Sequence, residues 1–358
     1  MIKRLYVDNY KSLVNFTWEP GSVELLAGTN GSGKSSVFEV IECLRALLVR
    51  GEKVLDIFPG TVFTRWSQRD ELKIELDLWV GGSGFYFYKC AIQRRADGVS
   101  LLKSEILMHS AGELYKFEHR TLTLTNRGRL QAQFNFGNSR SYVSEIDVND
   151  WTALHIQFRD ALARTAVLKP DVVRIQDISH VEAERLDRTC INFVDWYRSW
   201  VTPYPERAVA MASLLKTCMP DLVALRVLTL GTAKQMNVEF APAGKSMLLS
   251  LAELSEGQRM LIVLAALSTS QQFGCLLLDE PDNFVGPREI SAMIESLDAA
   301  YEKGQLCVIS HHPRAIDRLA SHAATLFSLE NGVTRTRRLI DIDLDGIPLS
   351  EALLDQVV

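Results

Sequence analysis

Hydrophobic and polar positions along the chain fall into three regimes. Near the start, Ile2, Leu5 and Val7 alternate with polar neighbours, as a half-buried strand should, and the run ends at Asp8-Asn9. A second apolar run, Val23-Glu24-Leu25-Leu26-Ala27, leads into a glycine-rich loop. Beyond it, Val37, Phe38, Val40, Ile41, Leu44, Leu47 and Leu48 recur at helical spacing over Ser35–Val49. From about Leu72 to Ile146 the period changes to two. Leu72–Val80, the turn Gly81-Gly82-Ser83-Gly84 and Phe85–Ile92 predict an antiparallel hairpin, extended by Leu114–Phe117, Thr121–Leu124 and Leu130–Phe136. Helices are predicted over Trp151–Leu168 and Val181–Leu222, the latter broken by Pro203 and Pro205. The last third returns to α/β alternation: a helix over Leu254–Ser270, a buried strand at Cys275–Asp279, a helix over Arg288–Lys303 and a buried strand at Leu306–Ile309. No heptad pattern is sustained, which excludes long coiled-coil arms, and there is no internal repeat.

Composition narrows the class of protein. The 358 residues, 47% hydrophobic and 23% charged, suit one large or two average globular domains. The longest apolar stretch, Met260–Leu267, is far short of the roughly 18–20 residues that span a bilayer, and the start lacks a signal-peptide core. A cytoplasmic location without a membrane partner is therefore expected. Cys43, Cys90, Cys190, Cys218, Cys275 and Cys307 are scattered without a C-x-x-C pair and read as small buried hydrophobes. A net charge of −5 argues against a surface that is wholly a nucleic-acid footprint. Two small basic clusters remain, Arg94-Arg95 and Arg335-Thr336-Arg337-Arg338, and such pairs more often form a solvated face.

The glycine-rich loop comprises Gly28, Thr29, Asn30, Gly31, Ser32, Gly33, Lys34 and Ser35, followed by Ser36, and fits G-x-x-x-x-G-K-[ST] between a strand and a helix. Its glycines let consecutive N–H groups turn toward a phosphate chain, and the helix start adds partial positive charge. Lys34 can reach the β- and γ-phosphates, and the Ser35 hydroxyl can ligate Mg²⁺. Asp279 ends an apolar strand, where a buried carboxylate is costly unless it meets a cation such as Mg²⁺. Glu280 beside it can serve as general base for an attacking water, an effect worth roughly 10²–10⁴ in rate. Leu254-Ser255-Glu256-Gly257-Gln258 opens a later helix and sets Ser255 and Gly257 at a second helix N-terminus.

Taken in order, these elements resemble the ATP-binding-cassette (ABC) ATPases: a Walker A loop, an LSxGQ-type signature, Walker B, a D-loop and a switch histidine. The resemblance covers the first 50 residues and about Leu248–Leu329. It implies ATP and Mg²⁺ as ligands, ATP hydrolysis with Lys34, Glu280 and His311 as catalytic groups, and Ser35 and Asp279 on the metal. His312 would be the variable neighbour of His311. It also implies that Ser255, Glu256, Gly257 and Gln258 close on ATP held by a second copy, with Asp282 and Asn283 at that interface. The expected assembly is a homodimer or higher homo-oligomer sandwiching nucleotide. Gln157 is the candidate Q-loop ligand to the metal, with Gln176 as its rival. Asn9-Tyr10-Lys11-Ser12 resembles the opening of SMC- and RecF-type ATPases, which carries a nucleotide contact to Lys11; Tyr10 reads as core.

About 220 residues separate Lys34 from Ser255, more than transporter cassettes have and fewer than coiled-coil SMC proteins need. The expectation is an α/β P-loop NTPase head of the ABC type, with a β-rich insertion and a helical subdomain in place of coiled-coil arms. Its expected divisions are 1–70 (Walker A half), 71–150 (β extension), 151–240 (Q-loop region and helical subdomain) and 241–358 (signature, Walker B, D-loop and switch histidine). It resembles compact ATPases of anti-phage systems, OLD-like or Septu-like, without their nuclease. The acidic set Asp341, Asp343 and Asp345 reads as a solvated segment, so a nuclease or toxin is expected in a separate effector protein. The alternatives are a RecF-like repair clamp that binds DNA directly and an ATP-dependent structural scaffold.

Overall fold

The structure, a computed structural model, describes residues 1–126, 129–146, 153–344 and 346–354. Two compact units divide the chain: Met1–Gly21, Gly28–Thr165 and Leu326–Arg337 form one, and Ser22–Ala27, Ala166–Thr325 and 338–358 the other.

In chain order the first elements are β1 (Ile2–Asp8), β2 (Phe16–Trp18), β3 (Val23–Gly28), α1 (Lys34–Leu48) and α2 (Val54–Ile57). The alternating region then gives β4 (Glu71–Val80), β5 (Gly84–Arg94), β6 (Ser100–His109), β7 (Gly112–Glu118), β8 (Thr121–Asn126) and β9 (Arg129–Asn135), followed by α3 (Ala153–Ala163). The first unit is organised around an eight-stranded antiparallel sheet ordered β2-β1-β4-β5-β6-β7-β8-β9. The predicted hairpin forms, with Leu76 opposite Tyr88 and Val80 opposite Gly84, so that Gly84 joins β5 and the turn shortens to Gly81-Gly82-Ser83. Its inward positions Leu72, Ile74, Leu76, Tyr86, Tyr88 and Ile92 are buried, and α3 lays Phe158 against the Tyr86 and Tyr88 rings.

Beyond α3 come β10 (Thr165–Leu168), β11 (Ile178–Ser179), α4 (Phe193–Val201), α5 (Pro205–Cys218), β12 (Leu222–Leu230), β13 (Ala233–Phe240) and β14 (Met247–Ser250). The remaining elements are α6 (Glu256–Thr269), β15 (Cys275–Asp279), α7 (Pro287–Ala300), β16 (Gln305–Ile309), α8 (Pro313–Ala320), β17 (Ala324–Glu330), β18 (Val333–Arg338) and α9 (Leu349–Leu354). In the second unit β10, β15, β16 and β3 follow one another in a sheet. β15, β16 and β3 are parallel: Asp279 pairs with Ile309, and Ile309 with Leu26. The carboxyl ends of these strands therefore share one sheet edge, where α/β proteins bind ligands. β15 and β16 are wholly buried and apolar but for Asp279 and Gln305, as parallel strands covered on both faces require.

Two expectations are corrected. The helix expected through Leu168 ends at Ala163, and Thr165-Ala166-Val167-Leu168 is a buried strand; a four-residue apolar run has no period that separates strand from helix. Trp151 and Thr152 lie outside the described residues. Over Val181–Leu222 only α4 and α5 are helical. Residues 187–192 are held by side-chain turns instead: the Asp187 carboxylate accepts from the Thr189 N–H at 2.8 Å and the Asn192 side-chain Oδ1 from the Asp187 N–H at 2.8 Å. Pro205 opens α5. A four-stranded sheet, β11-β13-β12 with β14 on β13, was not anticipated. No described helix exceeds the 15 residues of α1, and none is long and apolar enough to cross a membrane.

Candidate nucleotide site

Gly28, Gly31 and Gly33 all take positive φ values, of 132°, 78° and 101°. At Gly28 a Cβ would collide with the Phe327 carbonyl, and at Gly33 with the Thr334 hydroxyl, so two of the loop's glycines are also needed for close approach. The Lys34 ammonium donates to the Gly28 carbonyl at 2.7 Å and the Thr29 carbonyl at 2.8 Å, folding back over its own loop. Ser35 and Ser36 lie in the first turn of α1. Thr334 braces the loop: its hydroxyl lies 2.9 Å from the Ser32 carbonyl and 2.8 Å from Ser12 Oγ, and its N–H donates to the Ser12 carbonyl at 2.9 Å. Asn9-Tyr10-Lys11-Ser12 is thereby tied to the phosphate loop. Tyr10 is fully buried, as expected. Lys11 is 41% exposed and pairs with Glu39 of α1.

In the second unit Asp279 and Glu280 part company at the end of β15. Asp279 is 1% exposed, and neither of its oxygens has a hydrogen-bond partner among the described residues. Glu280 turns the chain at φ 55°, a left-handed conformation, while its N–H donates to the Ile309 carbonyl at 2.9 Å. Lys169, directly after β10, faces both carboxylates. Its ammonium is 3.0 Å from Glu280 Oε2 and 3.5 Å from Asp279 Oδ2. Burial pushes the Glu280 carboxyl up, but the Lys169 ion pair, with Asn283 and the charge of His311, outweighs it and holds Glu280 below its ordinary value. Burial lowers Lys169, and the two carboxylates more than reverse that.

The histidines have distinct positions. His312 caps α8, its Nδ1 accepting from the Arg314 N–H at 3.2 Å. His311 is exposed, and its N–H donates to Asp282 at 3.4 Å. Asn283 donates to Glu280 Oε2 at 3.4 Å.

Ser255 and Gln258 form a capping box on α6: the Ser255 hydroxyl accepts from the Gln258 N–H at 3.2 Å, and Gln258 Oε1 from the Ser255 N–H at 3.0 Å. Gly257 is crossed by the Phe284 carbonyl, 2.6 Å from where a Cβ would sit, so the Ser255–Gln258 turn packs directly on the segment after Asp282-Asn283. Arg259 fastens the turn from behind, donating to the carbonyls of Leu254 at 3.0 Å, Val172 at 3.0 Å and Ala252 at 3.2 Å.

Gln157 sits on α3, where its Oε1 accepts from the Tyr86 hydroxyl at 3.1 Å, and Gln176 is exposed. Asp341 and Asp343 are exposed and Asp345 lies outside the described residues; no group of three or more His, Cys, Asp or Glu suited to a metal occurs among the described residues. Arg94 lies over the Phe63 ring, Arg95 pairs with Asp97, and Arg335, Arg337 and Arg338 are exposed. Four cysteines are buried and Cys43 and Cys218 half-buried, all as thiols. Sequence reasoning missed Lys169, Arg259 and Thr334. Lys169-Pro170 would have been noticed had the preceding run been read as a strand, because a charged residue at a buried strand's carboxyl end faces the ligand edge. The other two act through tertiary contacts without a local signal.

Asp279, a buried carboxylate without a hydrogen bond among the described residues of the second unit, suits Mg²⁺, a cation that keeps waters and takes other oxygens from phosphate. Such a site needs no cluster of three protein ligands.

No protein-family model matches the chain, and no curated protein matches it. Among solved structures it is similar to an SMC head bound to the C-terminal winged-helix domain of ScpA, at 14% identity and a TM-score of 0.62, covering 96% of this chain and 98% of that one. The Smc head with coiled coil and joint from Pyrococcus yayanosii matches at 11% identity and a TM-score of 0.59, covering 100% and 99%. The Smc head with an extended coiled coil from Pyrococcus furiosus, bound to the C-terminal domain of ScpA, matches at 12% and 0.53, covering 99% of each. The chain shares the mixed α/β fold of these SMC heads, and no helix long enough for a coiled-coil arm occurs among the described residues.

Proposed function

We propose that the chain binds ATP with Mg²⁺, hydrolyses it, and uses the nucleotide to join two copies. The observation that carries this reading is Asp279: a residue 1% exposed at the carboxyl end of a parallel strand, with no hydrogen bond to either carboxylate oxygen among the described residues and its one ion partner, Lys169, 3.5 Å away. So costly a group is retained where a cation completes it. In this reading the backbone N–H groups of Gly31–Lys34 hold the phosphates, and the Lys34 ammonium exchanges the Gly28 and Thr29 carbonyls for phosphate oxygens. Ser35 and Asp279 hold Mg²⁺, which neutralises phosphate charge. Glu280, kept ionised by its surroundings, takes a proton from the attacking water, and His311 contacts the terminal phosphate. The Ser255–Gln258 turn of one copy caps the nucleotide of the other, with Asp282 and Asn283 beside it.

The test is Glu280→Gln. Hydrolysis should fall about 10²–10⁴-fold, and ATP-bound dimers should persist in size-exclusion chromatography. Hydrolysis at the wild-type rate would overturn the assignment of Glu280, and monomers throughout would overturn the sandwich.

The finer reading is a nucleotide-gated switch controlling a separate effector in the cytoplasm, a nuclease or toxin in anti-phage defence. It is supported by the OLD- and Septu-like motif set and by SMC heads that bind a partner protein's domain. Co-purification with the product of a neighbouring nuclease gene, dependent on ATP, would test it. A second reading, direct DNA binding in the manner of a RecF clamp, is favoured by Arg335 and Arg337, both exposed on β18 after buried Thr334. Its signature is duplex-DNA affinity that falls steeply with salt.

A further inference from the structure

Lys169 stands where a metal ion would be wanted. Its side chain is 44% exposed, whereas the carboxylate of Asp279 is only 2% exposed, so the ammonium reaches in from solvent on a flexible stem toward an anion that cannot reach out. It contacts Asp279 Oδ2 at 3.5 Å and Glu280 Oε2 at 3.0 Å, and Asp279 has no other ion pair among the described residues. The Lys169 N–H donates to the Arg188 carbonyl at 2.8 Å, which fixes the backbone below the side chain. A lysine head is a compact point charge without a fixed fork, well suited to leave and return. A second cation brought to Asp279 would meet the Lys169 ammonium at close range and be repelled by it.

We propose that Lys169 is the resident counter-ion of the Asp279–Glu280 pair: it fills the divalent-cation position in the nucleotide-free protein, excludes free Mg²⁺, and yields only to a cation that arrives with phosphate charge. This deepens the ATPase reading and rests on it for the final exchange, whereas the exclusion of free metal follows from the contacts alone. Nucleotide and metal then enter together, and ATP binding releases Lys169 to face the phosphates.

The experiment titrates the nucleotide-free full chain with Mn²⁺, a paramagnetic stand-in for Mg²⁺, reading bound metal by electron paramagnetic resonance. Lys169→Met should bind Mn²⁺ about tenfold tighter than wild type or more. Lys169→Arg should retain exclusion, and Lys169→Met combined with Asp279→Asn should lose the gain. Equal Mn²⁺ affinity in wild type and Lys169→Met would overturn the proposal, as would a gain that survives Asp279→Asn. If Lys169→Met does not fold, Lys169→Gln carries the same readout. A wild type without ATPase activity, but with the Mn²⁺ gain in the variant, would remove the functional reading and leave this one standing.

Discussion

The hydroxyls of Thr334 and Ser12 lie 2.8 Å apart although 322 residues separate them, and the same Thr334 hydroxyl reaches the Ser32 carbonyl at 2.9 Å. One side chain of β18 thus links the start of the chain to the phosphate loop. Thr334 is 2% exposed, so water cannot replace it. Thr334→Val keeps the shape, removes the hydroxyl and leaves Ser12 and Ser32 short of a partner. The expected loss is about 1–3 kcal/mol of unfolding free energy, read as a lower urea midpoint at unchanged slope. Thr334→Ser should recover most of it. An unchanged midpoint in the valine variant would show that the brace carries no energy.

Gly257 makes a prediction of unusual sign. Replacing glycine by alanine inside a helix ordinarily stabilises by up to about 1 kcal/mol, and Gly257 lies in the first turn of α6. Here the added methyl would meet the Phe284 carbonyl at 2.6 Å, and that atom is backbone held at φ 69°. The clash outweighs the propensity. Gly257→Ala should destabilise by about 1–3 kcal/mol, as overpacking does, and should shift Asp282 and Asn283, weakening any ATP-dependent dimer. Thermal unfolding that rises on substitution would refute the close packing.

The strand and helix ends that flank the motif loops were legible because each couples a residue pattern to the end of an element. Asp279 falls at the end of five buried residues, and Gly28 to Lys34 bridge a strand and an amphipathic helix. The hairpin of β4 and β5 was legible because its strands alternate cleanly around a glycine-rich turn. β10 was not, since Thr165–Leu168 is too short to carry a period. The β12–β13 hairpin turns at Gly231-Thr232, but exposed Val223, Leu228 and Leu230 blur its alternation. Lys169 escaped notice with β10: its importance comes from the strand it follows and the neighbour that strand takes.

Arg259 should behave as a structural clamp on the Ser255–Gln258 turn. Its guanidinium satisfies three carbonyls, including Val172 in the segment after Lys169. Arg259→Ala leaves all three without this donor, and a loss of about 2 kcal/mol is expected, in line with hydrogen bonds from charged donors. Arg259→Lys should recover only part, because an ammonium cannot reproduce the planar fork. Hydrogen exchange should quicken around residues 170–176 and 250–258 in the alanine variant. Faster exchange confined to one of these segments would mean that Arg259 does not couple them.

Glu105 sets the pH dependence expected of the β extension. It is fully buried on β6, and its Oε1 accepts from the Tyr88 hydroxyl at 2.7 Å and the Ser141 hydroxyl at 2.5 Å. Burial, the largest influence, pushes its carboxyl above the ordinary 4.5, and those donors offset only part of the rise. A carboxyl raised in the folded state binds its proton more tightly there than in the unfolded chain. Its contribution is therefore fully present below about pH 4.5 and is lost as pH rises through the folded-state value. Glu105→Gln is neutral at every pH and keeps an acceptor for the two hydroxyls. The stability of the variant relative to wild type should accordingly increase with pH above about 4.5 and then level off. Urea unfolding of both proteins across pH 4 to 9 measures that difference, and parallel curves would show that Glu105 does not titrate differently on folding.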